Sequence, residues 1–165
     1  MIIAISNLFG LPAHPLFVHV PIVLIPLALI LAILAIYKKF RRELLIATAS
    51  MALIGAVFLS LGTSAGESLQ HDLPKSEAIH EHAELGEQSQ GPTIAFAILA
   101  VGAVAAGEAI RRNIVYKNKS LPKWIAPALF ALTLVGGVVS TITVSQAGHS
   151  GAKAVWDSRL AQTKP

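Results

Sequence analysis

The sequence predicts an all-α integral membrane protein: a bundle of four transmembrane helices, with a short outer-face helix between the second and the third. Three observations predict it. The chain is 54% apolar and 13% charged over 165 residues, whereas soluble domains carry ~25% charge. Its apolar residues gather into four blocks, each near the ~20 residues that cross a bilayer. Nine of the thirteen Lys and Arg fall in two short connections between blocks, as the positive-inside rule expects of cytoplasmic loops. A net charge of +4 arranged this way reports topology and not a nucleic-acid partner.

The first span runs from about Pro15 to Tyr37 and holds PIVLIPLALILAILAIY, with Pro15 suited to the first helical position. The second runs from about Leu44 to Ala65, the third from about Pro92 to Ile110, and the fourth from about Trp124 to Val144. The third is the shortest and ends in Glu108, so it is expected to tilt little or to extend past its apolar core. Gly62-x-x-x-Gly66, Ala103-x-x-x-Gly107 and Gly136-Gly137 supply small residues that let helix backbones approach in lipid. Together the spans are expected to form a single membrane domain over 1–165. The opening MIIAISNLFGLP has no basic n-region and no cleavage signal, and reads as an apolar lead-in at the membrane surface.

The loop 66–91 has structure of its own. Leu73-Pro74 sets a break, and Ser76 caps a helix SEAIHEHAELGEQ with Glu77 in its first turn. On that helix Ile79, His82, Gly86 and Ser89 share a face, which turns His82 towards the bundle and leaves His80 near water and Glu84. Gly91-Pro92 is expected to kink the chain into the third span. After the fourth span, AKAVWDSRL is a short amphipathic stretch with Trp156 as an interfacial anchor.

The basic loops hold Lys38, Lys39, Arg41 and Arg42, then Arg111, Arg112, Lys117, Lys119 and Lys123. With these in the cytoplasm of a bacterial inner membrane, both termini and the loop 66–91 lie outside. All six histidines go with them: His14, His19, His71, His80, His82 and His149. His71 and His80 read as solvated residues. His19 lies a turn inside the first helix, where an ionisable group is expected to face the interior and find a partner. His14 and His19 are roughly 140° apart on a helix of 3.6 residues per turn, so both cannot point at one centre; His14 is then expected to serve as a cap or supporting donor.

Two chemistries suit an outer-face cluster of His19, His82 and His149, with His14 in support. One is a b-type haem held by two neutral imidazoles from facing helices. The other is a copper or zinc ion held by His19, His82, His149 and Glu67, since imidazole serves both metals. Glu67 is also placed to accept an imidazole N–H behind a ligand or to pair with Lys75. The absence of cysteine excludes thiolate metal sites and covalent c-type haem. No nucleophile with an activating base is legible, so turnover as a stand-alone enzyme has no support; a structural subunit whose histidines hold the outer cap together is the third reading.

HPLFVHVPIVLIPLAL, GTSAGE, HEHAELG and QAGHSGAKAVWD, in that order, resemble the motifs of a bacterial family of predicted four-helix membrane proteins known only as a domain of unknown function. The resemblance covers Leu11 to about Asp157, and the HPxxVHxP opening and GHxGA ending carry most of it. Members resemble stand-alone membrane proteins or membrane parts fused to Rieske-type or cytochrome c domains. That implies electron transfer, with quinone or a periplasmic cytochrome as partner, in a respiratory-complex subunit or a homodimer. The motif positions it implies are His14, His19, Gly66, Glu67, His82, Gly148 and His149. Related sequences continue with further Gly and His where this one has Gly151-Ala152 and Asp157-Ser158, so an additional C-terminal ligand is not implied here.

Overall fold

The structure, a computed structural model, describes residues 7–8, 10–73, 76–116 and 119–163. Four helices carry the fold: α1 Ala13–Leu34, α2 Arg41–Asp72, α3 Glu77–Arg111 and α4 Ile125–Thr163. Each is long and apolar enough to cross a membrane, and they form the expected all-α bundle, running alternately up and down. Two short antiparallel ladders flank it. β1 (Asn7–Leu8) pairs with β2 (Leu11–Pro12) through a turn in which Gly10 takes a φ of +80°, a conformation that costs glycine least. β3 (Val115–Tyr116) pairs with β4 (Lys119–Ser120) in the α3–α4 connection.

The helices are longer than the spans the sequence marks. At 1.5 Å per residue, α2, α3 and α4 reach about 50 Å or more, well beyond a ~30 Å hydrocarbon core. Ser76 caps α3 as expected, accepting from the Ile79 N–H at 3.2 Å. But the outer-face helix is not a separate element: α3 runs unbroken from Glu77 through Gly91-Pro92 to Arg111. A proline removes one helical N–H and crowds one carbonyl, and neighbouring helices hold such a helix together. Likewise AKAVWDSRL continues α4 instead of forming its own stretch. Residues 1–6 and 9 of the lead-in, and Lys75, lie outside the described residues.

Small residues set the packing. Ile25, Ala28, Ala52, Ala56, Phe96 and Ala97 form the mid-bundle core. Gly137 admits the Phe96 ring: a Cβ there would lie 3.0 Å from it. Nearer the histidine end, Phe17 meets Phe58 edge-on with centroids 5.9 Å apart. At the opposite, basic end α3 stops in a left-handed Asn113 (φ 51°), and the Ile114 N–H closes back on the Ala109 carbonyl at 2.9 Å, the Schellman closure.

Candidate functional site

Two imidazoles meet at one end of the bundle, and all four helices contribute to holding them. His14 stands on the buried stripe of α1 that continues through Phe17, Pro21 and Ile25. Its Nδ1–H donates to the Gly62 carbonyl of α2 at 2.7 Å. One turn further along α2 is Gly66, where a Cβ would lie 2.7 Å from His14 Nδ1. His82 repeats this arrangement on the other two helices. Its Nδ1–H reaches the Ala147 carbonyl and the Ser150 hydroxyl of α4, both at 3.1 Å. One turn on is Gly151, where a Cβ would lie 2.8 Å from His82 Cε1. The Ser150 hydroxyl itself donates to the Ala147 carbonyl at 2.9 Å, so its oxygen is free to accept from the ring.

The tautomer follows from the partners. A carbonyl only accepts, so each neutral ring carries its proton on Nδ1 and its lone pair on Nε2. The ring centroids are 5.8 Å apart with planes inclined at 78°. His82 lies on the polar segment 77–91, ahead of the apolar run of α3. Burial depresses its pKa below the usual histidine value, the neighbouring His14 depresses it further, and the Ala147 hydrogen bond opposes both. Burial therefore favours the neutral form of His82, the form that binds metal.

The other residues singled out in the sequence fall elsewhere. His19 is exposed, and its Nδ1–H folds back on the Pro15 carbonyl of its own helix. The expectation that His14 and His19 diverge holds, but their roles are exchanged: His14 points in and His19 out. His149 is exposed too, because the neighbouring Ser150 occupies the inward position. Glu67 is also exposed, and the carbonyls of Gly62 and Ala147 take the supporting role expected of it. His71 and His80 face solvent, and Glu84 accepts from the Gln88 amide at 3.1 Å. Among the described residues, no three His, Asp or Glu side chains converge as a metal-binding group, so His19, His82, His149 and Glu67 are not gathered into one site.

Gly151 and Ser150 are the site residues the sequence reading missed. A signal was present: Gly62-x-x-x-Gly66 and Ala147-x-x-x-Gly151 have one spacing, each with a small residue at the carbonyl and a glycine a turn later.

Four long apolar helices closed at one end by a histidine pair define a polytopic membrane protein with a polar site at the bundle's end. The chain belongs to the family described as predicted membrane protein (DUF2231), whose profile matches residues 10–164. No curated protein and no solved structure matched it.

Proposed function

We propose that the protein is a membrane-bound electron-transfer protein that holds a b-type haem through His14 and His82 at the outer face of a bacterial inner membrane. The observation that carries the reading is the pair itself: two imidazoles from facing helices, each with Nδ1–H on a backbone carbonyl and Nε2 without a hydrogen-bond partner among the described residues. Metal-ligating histidines characteristically give their second nitrogen to such a partner. The two rings lie edge-on with centroids 5.8 Å apart, so a single group bound between these helices would have both imidazoles within reach.

The number of ligands favours haem over a bare ion. Structural zinc takes four protein ligands and catalytic zinc three, whereas the described residues gather two imidazoles. A haem would ask fewer ligands of the protein, and His14 and His82 would supply them. Bound there, the group would supply one-electron redox chemistry. The chain would fix the orientation of its two ligands through Gly62, Ala147 and Ser150, and the absence of a side chain at Gly66 and Gly151 admits the rings themselves. Both termini and the residues 66–91 lie outside in this reading, with quinone or a periplasmic cytochrome as the exchange partner. A reporter active only outside the membrane, fused after Pro165, is then active.

The test is the absorption spectrum of the protein purified from haem-replete cells. A Soret band that is lost in His14→Ala and His82→Ala, and kept in His19→Ala and His149→Ala, is expected. A colourless protein from such cells, unable to bind added hemin, overturns the reading. A structural clasp is the alternative that one observation favours, since each imidazole also ties its own helix to the next one in the chain. In that case the two alanine variants lose stability and there is no spectrum to lose.

A further inference from the structure

At the end of the bundle opposite the histidines, Glu108 of α3 collects three arginines. Arg111 reaches it through Nε at 3.0 Å and a terminal nitrogen at 2.6 Å, Arg112 through Nε at 2.5 Å, and Arg42 of α2 through Nε at 3.4 Å. The Glu108 side chain is 24% exposed, but the arginine side chains are 53–62% exposed. One carboxylate therefore draws three guanidinium groups into the α2–α3 seam and neutralises one of them. Each guanidinium carries five N–H donors, and the three together spend four on Glu108. A concentrated positive charge remains, with most of its donors free and turned outward.

Two further features say what that charge meets. Tyr37, Phe40 and Trp124 are exposed around the same end of the bundle, where aromatic side chains mark the level of lipid headgroups. The basic connections also carry nine Lys and Arg against only Glu43 and Glu108. Arg41, by contrast, is turned away to the Ala35 carbonyl and the face of Phe130, so the surplus in the seam belongs to Arg42, Arg111 and Arg112.

We infer that this arginine-lined notch is a binding site for the phosphate of an anionic phospholipid headgroup. The chemistry is that of forked donors meeting phosphate oxygens, at a helix–helix seam at headgroup level, where basic pockets bind such lipids. Glu108 acts as the organiser: it holds three like charges close enough to converge on one phosphate. The site is separate from the imidazole pair and does not depend on its occupant.

The experiment is lipid retention by the full chain in mixed micelles of phosphatidylglycerol and phosphatidylcholine, read by native mass spectrometry and by melting temperature. Selective retention of phosphatidylglycerol and a higher melting temperature with it are expected, both weakened by salt. Arg42→Gln and Arg112→Gln each weaken retention about fivefold, as the loss of one basic contact near an anionic surface does. Lys153→Gln at the other end leaves retention unchanged. Because the competition between the two lipids is read on the unaltered protein, it stands even if a variant fails to fold. Equal retention of the two lipids overturns the proposal. So does an equal rise in melting temperature with inorganic phosphate alone, which assigns the notch to a free anion.

Discussion

The helical hairpin α1–α2 and the hairpin α3–α4 solve one packing problem with different side chains. Counted from His14, α1 buries Pro21, Ile25, Ala28 and Ala32; at the same spacings from His82, α3 buries Ser89, Thr93, Phe96 and Ala100. Counted from Gly62, α2 buries Ala65, Leu59, Gly55, Ala52 and Thr48; at the same spacings from Ala147, α4 buries Ser150, Val144, Ser140, Gly137 and Thr133. The register is shared and the chemistry is not. Below His14 the interior is Phe17, Ala65 and flanking Phe58. Below His82 it is a descending set of hydroxyls, in which Thr93 Oγ1 meets Ser140 Oγ at 2.8 Å. The imidazole cradle thus depends on a carbonyl and a small residue one turn on, and not on the polarity of the layer beneath it.

That comparison predicts that the two cradles fail alike. Gly66→Val and Gly151→Val force side-chain atoms into imidazoles already in contact, and overpacking of this kind costs ~1–3 kcal/mol. Gly107, where a Cβ would meet nothing within 4 Å, is the control. Equilibrium unfolding in detergent is expected to show similar losses for the two cradle variants and little change for Gly107→Val. A tolerated Gly66→Val beside a damaging Gly151→Val would mean that only the second hairpin needs its cradle.

Acid probes the second hairpin. His82 has its folded-state pKa below the unfolded value of ~6.5. Between those two values the unfolded chain binds more protons, so stability rises with pH across that window. The contribution of His82 is complete above about pH 6.5 and is lost as the pH falls towards the lowered folded value. The metal-free protein should therefore melt earlier at pH 5 than at pH 7.5, and His82→Gln should flatten the difference. An acid melting profile unchanged by His82→Gln would remove this residue from the account.

The sequence made the spans legible because bilayer thickness imposes length and apolarity directly, and the Ser76 cap because its chemistry is local. Which histidine turns inward was harder to read. In lipid the outward face of a helix is as apolar as the inward one, so Leu16, Ile22, Val23 and Ile30 are exposed on α1 and hydrophobicity gives no direction. The stripe of small residues does: Ala28 and Ala32, read back by threes and fours, lead to His14 and pass by His19. The continuity of α3 through Pro92 was hidden for another reason. Proline is a boundary signal by its local chemistry, and tertiary packing overrides it.

The hydroxyl ladder offers a smaller effect. Thr93→Val deletes the side-chain hydrogen bond from α3 to α4, and interhelical hydrogen bonds in membrane proteins average ~0.6 kcal/mol. Ser140→Ala should cost about the same, and the double variant little more than either, since both remove one bond. Full additivity of the two would show that the hydroxyls act separately.

The smallest effect comes from a buried hydroxyl position that α2 and α4 share. Thr48 and Thr133 lie fourteen residues before Gly62 and Ala147, and both are fully buried. Each hydroxyl donates to the carbonyl four residues earlier, Leu44 and Leu129, at 2.8 Å. That carbonyl already accepts a helical N–H, so replacing threonine with the similarly shaped valine leaves no group unpaired. A loss of about 0.5 kcal/mol or less is expected, at the low end for a protein hydrogen bond. Thr48 has one contact more, to the Ala28 carbonyl of α1 at 3.4 Å, too long to add much. Thr48→Val and Thr133→Val should then unfold at nearly the same denaturant concentration, both close to the unaltered protein. If Thr48→Val alone falls well below it, the long contact to α1 holds the first hairpin together in a way the second does not need, and the shared register is a likeness of packing without a likeness of energetics.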